Sequence, residues 1–213
     1  TEAVFRGRRI NYFMVYWNMK AQILSKLRGR DGNISGEAIS AALGVSRATV
    51  SKHIQKLRDL GYQIHSSAAG YRLVSSPDNL FPWEYESGPA HILYYPDVTS
   101  TMDIARDLAK QDCPDFTVVI AGRQTEGRGR LKRHWLSDKG GLYFTMVLRP
   151  DLSVSSGFKV IFLASLTMVR VIREMHAIDA VVKWPNDILV NDLKLSGMLS
   201  EVEAETDRVN YIS

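Results

Sequence analysis

Apolar residues recur at spacings of three and four within residues 19–60, and this spacing predicts three short helices. The second begins after Ser35 and the third after Ser46, because serine is a favoured N-cap. The predicted helix stops are Asp31-Gly32-Asn33, Gly44 and Gly61. Alternating residues on both sides of a turn within 62–74 then predict a β-hairpin. Three helices followed by a hairpin are typical of a winged helix-turn-helix.

The third predicted helix has an apolar face and a polar face. Val50, Ile54 and Leu57 share the apolar face. The residues predicted to contact DNA are Ser46, Arg47, Thr49, Lys52, His53 and Lys56. Arginine suits guanine edges, whereas lysine, serine and threonine suit phosphates. The alternative is a packing module or protein-binding domain of the same fold, whose outward charges are only solvated.

A different pattern follows residues 76–90, whose prolines and glycine predict a linker. Strands are predicted at 91–95, 117–121, 142–148, 180–183, 188–190 and 196–202, and helices at 101–109 and 160–175. Strands joined mostly by hairpin-sized turns, with two helices on one side, predict an α+β layer. The predicted organisation is a flexible extension (1–18), a winged helix-turn-helix (19–75), the linker (76–90) and a mixed sheet domain (91–213).

The first eighteen residues resemble a signal peptide only superficially. Arg6, Arg8 and Arg9 precede an apolar run, but that run is short and no small-residue cleavage site follows. Elsewhere no run approaches the roughly 18 apolar residues that a transmembrane helix needs, so we expect no membrane partner. The one cysteine, Cys113, excludes an internal disulfide and fits a reducing cytoplasm as a packing residue.

Charge is distributed unevenly between the two halves. Residues 1–75 hold 12 Lys and Arg against four Asp and Glu, whereas residues 76–213 hold 15 against 19. A basic segment beside an acidic one suggests that the first part binds a polyanion. The excess of positive charge favours DNA binding over the packing module.

Two segments of the sheet domain carry candidate chemistry. The first, 124–135, reads Gln-Thr-Glu-Gly-Arg-Gly-Arg-Leu-Lys-Arg-His-Trp and places four cationic side chains and two glycines between Gly127 and Trp135. Glycine lets backbone approach a ligand closely, and arginine presents a planar fork to phosphate. The alternative is a solvated basic loop or an RNA-binding segment. No P-loop, zincin or nucleophile-elbow motif is present.

The second segment, 182–190, reads Val-Lys-Trp-Pro-Asn-Asp-Ile-Leu-Val and is followed by Lys194-Leu-Ser-Gly. Lys183 ends an apolar strand, which would fix its ammonium at the mouth of a site. Asn186 could contact a base edge, and Asp187 could hold Mg²⁺ or a water. A plain hairpin with solvated lysines is the alternative, although tryptophan and proline are costly choices for one.

Together with the N-terminal domain, these segments resemble the bifunctional biotin–protein ligases that also repress the biotin operon, over about residues 20–213. The resemblance implies a winged helix-turn-helix followed by a mixed sheet domain of the biotin/lipoate ligase type. It implies that the biotin carboxylate attacks the α-phosphate of Mg·ATP, and that a lysine of a carboxylase carrier domain then takes the biotinyl group. Both nucleophiles belong to substrates, so the protein supplies positioning and electrostatic stabilisation.

The resemblance also assigns roles. The implied biotin-binding residues are Ser100, Thr101, Met102, Gln124, Gly127, Arg128, Gly129, Arg130 and Lys194. The implied nucleotide-binding residues are Trp135, Asn186 and Asp187, and the implied catalytic residues are Arg130, Lys183 and Lys194. We expect Mg²⁺ to arrive with ATP near Asp187 rather than in a cluster of protein ligands. The implied partners are a biotin carboxyl carrier domain, operator DNA and a ligand-linked second copy paired through a sheet edge.

Three departures from the family pattern qualify these expectations. Met102 replaces the usual asparagine after Ser-Thr, and Leu131-Lys132 replaces an Arg-Gly pair. The sequence stops at Ser213, where the family continues, so we expect a truncated ligase with weak or no turnover. Two rival functions remain: a winged-helix regulator that senses a small molecule without chemistry, and a lipoate-type ligase.

Overall fold

The computed structural model describes residues 10–29, 32–85 and 91–213, which fall into two units, Thr1–Ser87 and Gly88–Ser213. Outside the described residues lie the basic start of the predicted extension (1–9), Asp31 of the first predicted helix stop, and the end of the predicted linker (86–90). Of residues 10–18 and 132 only the backbone is described.

The first unit contains the predicted winged helix-turn-helix. Its elements are helices α1 (Ile10–Arg28), α2 (Gly36–Leu43) and α3 (Arg47–Asp59), and strands β1 (Gln63–Ser67) and β2 (Gly70–Ser75). Ser35 and Ser46 are the N-caps, since their hydroxyls accept the Ala38 and Thr49 amide N–H groups at 3.0 and 3.1 Å. Gly44 ends α2 in the left-handed conformation. β1 and β2 pair antiparallel as the wing.

Helix α1 starts nine residues earlier than predicted, so the prediction that residues 10–18 belong to a flexible extension is wrong in the structure. Residues 10–18 contain no proline or glycine, and nothing in them interrupts a helix that continues into Met19. The side chains that face the interior of this unit are Ile23, Leu24, Ile39, Val50, Ile54, Leu57 and Tyr62.

Part of the predicted linker packs on the first unit. Phe81 is buried and stacks on both Tyr62 and Trp83, with centroid distances of 6.1 and 4.7 Å. The Glu84 carboxylate accepts a hydrogen bond from the Tyr62 hydroxyl and pairs with Arg28 at 2.7 Å. Burial opposes ionisation of Glu84, but the hydrogen bonds from Arg28 and Tyr62 outweigh it and lower the pKa of this carboxyl.

The second unit is α+β, as predicted. Its elements in chain order are β3 (His91–Tyr95), α4 (Thr101–Lys110), β4 (Thr117–Ala121), β5 (Tyr143–Val147), α5 (Lys159–His176), β6 (Ala180–Lys183), β7 (Asp187–Val190), β8 (Leu193–Gly197), β9 (Val202–Glu205) and β10 (Arg208–Ile212). The sheets follow the orders β3-β4-β5, β6-β7-β8 and β9-β10. The core of the first sheet lies under α4 and includes Cys113, so this cysteine is a packing residue as predicted.

β3 and β4 are parallel and joined through α4, the helix predicted between them. One expectation about strands is wrong. The single strand predicted at 196–202 is the end of β8 and the start of β9, because the backbone changes partner between them. Met198 N–H donates to the Asn186 carbonyl, whereas Glu201 N–H donates to the Ser213 carbonyl. β10 was not predicted.

The expectation that no segment is apolar enough to cross a membrane is also wrong by length and composition alone. Val154–His176, which includes α5, has a mean hydropathy of 1.5 over its most apolar window. A helix that packs in the core of a soluble protein passes the same test. One side of α5 does pack, since Val169 lies in a cluster with Ala180 of β6 and Ile188 of β7.

Candidate functional site

The side-chain amide of Gln124 connects two chain segments beneath the Gly/Arg loop, defined as Gly127–Trp135. Its carbonyl oxygen accepts from the Thr101 amide N–H at 2.8 Å and from the Thr101 hydroxyl at 3.0 Å. Its NH₂ group donates to the Ser137 hydroxyl at 3.0 Å. The Thr145 hydroxyl donates to that of Thr101 at 2.8 Å, so every polar atom of this buried row has a partner.

The start of α4 carries further buried residues beside this row. Ser100 is the N-cap, and its hydroxyl accepts the Met102 amide N–H at 3.3 Å. Ser100, Thr101 and Met102 are all buried. The structure therefore brings Ser100, Thr101 and Gln124 together as predicted, with Met102 buried next to them.

The Gly/Arg loop is folded as a small hairpin. Trp135 N–H donates to the Gly127 carbonyl and Gly129 N–H to the Arg133 carbonyl, both at 2.8 Å, with Arg128 facing His134 between them. Leu131, at the tip, has a left-handed φ of 57° and is 84% exposed.

Gly127 is needed at the base of this hairpin for space. A Cβ there would lie 2.4 Å from the Trp135 carbonyl oxygen and 2.5 Å from the Ser137 hydroxyl oxygen. Both distances are far inside van der Waals contact, so a larger residue would force the two arms of the hairpin apart.

The two arginines of the loop have different partners. Arg128 Nη2 lies 2.7 Å from Asp103 Oδ1 on α4. Arg130 Nη1 donates to Asn186 Oδ1 at 3.4 Å. Arg130 thus joins the loop to the turn between β6 and β7, which is the second segment singled out by the sequence.

Charged residues of β6, β7 and β8 lie close to the β6–β7 turn or pair with a residue there. Lys183 pairs with Asp187 and Asp187 with Gly197 in the strand register. Lys194 Nζ lies 2.7 Å from Asp187 Oδ1 and 5.0 Å from the ring centroid of Trp135, so this ammonium also touches the Gly/Arg loop.

The turn itself holds Trp184, Pro185 and Asn186. The Trp184–Pro185 peptide bond is cis. Asn186 is buried, and its NH₂ group donates to the Met198 carbonyl at 2.5 Å. Trp184 is exposed and stacks on Phe162 at 5.8 Å. Lys183 is exposed and makes no hydrogen bond or ion pair with the described residues 91–213, which leaves its ammonium available to a ligand.

On the first unit, α3 and the wing present the surface predicted to contact DNA. Ser46, Arg47 and Lys52 are exposed, and Thr49 and Lys56 are partly so. A polar cleft between α2, α3 and the wing includes Arg47, Ser51 and Ser67. Five of the six residues predicted to contact DNA are therefore at least partly exposed.

His53 is the exception, because it is buried and cannot reach DNA as predicted. It lies three residues after Val50 and four before Leu57, which puts it on the inner face of α3. Burial lowers the pKa of His53, and the nearby ammonium groups of Lys56, Lys20 and Lys52 lower it further.

With this geometry established, the chain can be compared with known proteins. The model of the "Biotin/lipoate A/B protein ligase family" matches residues 94–213, more than half of the chain. The chain belongs to the biotin/lipoate A/B protein ligase family. A second model, "HTH domain", matches residues 20–72 of this ligase-family chain.

Two relatives of this ligase-family chain are named as bifunctional proteins. It is 40% identical over 199 residues to the bifunctional ligase/repressor BirA of Bacillus subtilis, which covers 89% of this chain and 61% of that protein. It is 33% identical over 181 residues to the Escherichia coli protein of that name, covering 81% and 54%. The chain thus spans about three fifths of the length of such relatives.

A solved structure shares the fold of the ligase unit. This is the biotin protein ligase of Leishmania major in complex with biotinyl-5-AMP, with a TM-score of 0.50 and 29% sequence identity. The match covers 59% of this chain and 55% of that one.

Several residues of the ligase-family site were not predicted. Asp103, Ser137 and Thr145 hold Arg128, Gln124 and Thr101 in place. The sequence signal for Asp103 is weak, because the helix dipole favours an acidic residue in the first turn of any helix. Ser137 and Thr145 have none, because a single hydroxyl in a strand or loop is ordinary.

Metal binding by Asp187 must compete with Lys194. In the described residues, no group of three His, Cys, Asp or Glu side chains could hold a metal ion. Asp187 is one carboxylate, and an ammonium already lies 2.7 Å from it. Magnesium is usually bound by one or two carboxylates plus substrate phosphates, so this donor fits Mg²⁺ only together with a nucleotide.

Proposed function

We propose that the second unit is a biotin–protein ligase site. An oxygen of the biotin carboxylate attacks the α-phosphorus of ATP, the bond to the bridging oxygen of the β-phosphate breaks, and pyrophosphate leaves. The amine of a lysine on a biotin carboxyl carrier domain then attacks the acyl carbon of biotinyl-AMP. An amide forms, AMP leaves and the amine loses a proton.

The observation that carries this proposal is the meeting of the Gly/Arg loop with the β6–β7 turn. Arg130 contacts Asn186, and Trp135 lies under the ammonium of Lys194. Three cationic groups, those of Arg130, Lys183 and Lys194, therefore come from the elements that border one place. Adenylation builds negative charge on phosphate oxygens, and fixed cations are the groups that stabilise it.

We infer the remaining roles from the resemblance of these motifs to those of the family. Biotin is assigned to Ser100, Thr101, Met102 and Gln124, together with Gly127, Arg128, Gly129, Arg130 and Lys194. Trp135, Asn186 and Asp187 take the nucleotide. The ATP brings Mg²⁺, and Asp187 is the protein group placed to contact it. When bound, the ion would neutralise phosphate charge.

A single-turnover transfer assay tests the reaction. The chain is mixed in excess with a biotin carboxyl carrier domain, ATP, Mg²⁺ and either labelled biotin or labelled lipoate. Protein excess makes even slow transfer visible. We expect biotin, and not lipoate, on the acceptor lysine. Lipoate transfer would assign the lipoate-type reaction, and biotin binding without adenylate or transfer would assign the sensor without chemistry.

The first unit is proposed to bind operator DNA and so to couple biotin supply to transcription. The exposed cations of α3 beside the polar cleft support this. A gel-shift titration tests it: a complex held by phosphate contacts must weaken steeply as salt rises. A salt-independent shift, or none, would favour the packing module. We also propose a cytoplasmic location and a ligand-linked dimer.

A further inference from the structure

Asp103 joins two arginines from different parts of the second unit. Its Oδ1 lies 2.7 Å from Arg128 Nη2 on the Gly/Arg loop and 2.6 Å from Arg106 Nη2 on α4. Arg106 in turn faces the Glu201 carboxylate at 3.6 Å, just before β9. The charges alternate along this row, so each residue inside it is attracted from both sides.

Two contacts join this part of the chain to the first turn of α4. One is neutral and lies three residues before the Gly/Arg loop, where Gln124 accepts hydrogen bonds from Thr101. The other is ionic and belongs to the loop itself, from Arg128 to Asp103. Arg128 sits inside the hairpin opposite His134, so fixing its guanidinium also fixes the hairpin arm.

We propose that Asp103 is a positioning residue that holds the Gly/Arg loop in its hairpin form through Arg128. Arg128 is held by Asp103 beside the residues assigned to biotin, whereas Arg130, directed to Asn186, is the loop cation placed for the phosphates of the nucleotide. The part of this inference that concerns ligands rests on the proposed ligase function. The part that concerns loop structure does not.

Trypsin reports the loop directly, because it cuts after the exposed Arg130 and Arg133. The full chain and its Asp103→Asn variant are digested briefly, and cuts in the loop are counted by mass spectrometry. A partly exposed ion pair is worth about 1 kcal/mol or less, so we expect up to about fivefold faster cutting without it. Asp103→Glu should restore most of the protection.

Asp107→Asn is the matched control, since Asp107 is exposed on the same helix and forms no ion pair with the described residues. It should cut at the native rate. Arg128→Gln should match Asp103→Asn, and the double variant should add nothing further, because the two residues act as one unit. Raising NaCl to 1 M should bring the native rate towards that of Asp103→Asn.

Biotin then separates the two claims. In the native chain, biotin with ATP should slow the loop cuts, and Asp103→Asn should need about fivefold more biotin for half protection. Equal cutting of native protein and Asp103→Asn, or equal acceleration by Asp107→Asn, would overturn the proposal. If biotin protects no variant while Asp103→Asn still cuts faster, the positioning role stands and the ligase function fails.

Discussion

Replacing Gln124 by leucine removes the centre of the hydrogen-bonded row beneath the Gly/Arg loop. The leucine has a similar volume but can neither accept from the Thr101 amide and hydroxyl nor donate to Ser137. Three hydrogen bonds disappear, and two donors of the buried Thr101 lose their acceptor.

The loss follows from these contacts. A typical hydrogen bond contributes about 0.5–1.5 kcal/mol net, so three bonds give about 1.5–4.5 kcal/mol. Because Gln124 is only partly buried, water can partly replace it, and we expect about 2 kcal/mol. Gln124→Glu is the matched variant: it keeps the oxygen towards Thr101, and the Ser137 hydroxyl can donate to its second oxygen. It should lose less than half as much.

Urea unfolding followed by pulsed hydrogen exchange and mass spectrometry measures this loss, because peptides from the two units report separately. Peptides of the winged helix-turn-helix serve as an internal control and should be unchanged. A Gln124→Leu chain whose ligase unit stays within about 0.5 kcal/mol of native would refute the reasoning, since it lies below the smallest loss that three bonds allow. Equal destabilisation of both units would refute it as well.

Three further outcomes are expected. In Gly127→Ala the added Cβ would lie 2.4 Å from the Trp135 carbonyl oxygen and would displace the Gly/Arg loop. Biotin-dependent pyrophosphate release, followed in a continuous phosphate assay, should therefore fall at least about tenfold. Release at the native rate would contradict this. The folded unit keeps the buried His53 neutral, because its pKa is lowered below 6.5, so stability is full above about pH 6.5 and is lost as pH falls through the folded pKa. Urea midpoints of winged-helix peptides should fall between pH 7.5 and 5.5 in the native chain but not in His53→Gln, and parallel curves would exclude His53 as the cause. Lys52→Ala should weaken DNA binding and reduce the salt slope by about one, with an unchanged slope as the contrary result.

The local parts of the fold follow from the sequence because their causes are local. Ser35 and Ser46 begin helices, and Gly44 ends one. Each does so through a hydrogen bond to a residue three or four positions away, so both partners lie in one short stretch of sequence. The strands at 91–95, 117–121 and 180–183 were predicted to the residue, since each is a short, mostly apolar run with proline, glycine or aspartate within two residues of each end.

What failed depends on distant partners. Residues 196–202 were predicted as one strand, yet the chain leaves one sheet at Gly197 and enters another at Val202. A local pattern can indicate a strand but does not show which strand lies beside it. The prediction for His53 was wrong because it was made from the chemistry of histidine alone. Its spacing of three residues from Val50 puts it on the inner face of α3.

In the candidate site, too, local features were predicted and contacts between distant residues were not. Its two motifs were visible in the sequence as unusual compositions, but their meeting was not, because Arg130 and Asn186 are 56 positions apart. The partner of Arg128 was missed for a related reason. Composition marks an arginine as suited to phosphate, whereas only the fold shows that a carboxylate 25 positions away already occupies it.

The most direct test of the central claim is pyrophosphate release from ATP on addition of biotin, measured at a stoichiometric concentration of the chain. The native chain should release pyrophosphate only when biotin is present, and Arg130→Ala and Lys183→Ala should each abolish most of that release. Release at the native rate from either variant, or no biotin-dependent release from the native chain, would contradict a ligase site at the meeting of the Gly/Arg loop and the β6–β7 turn.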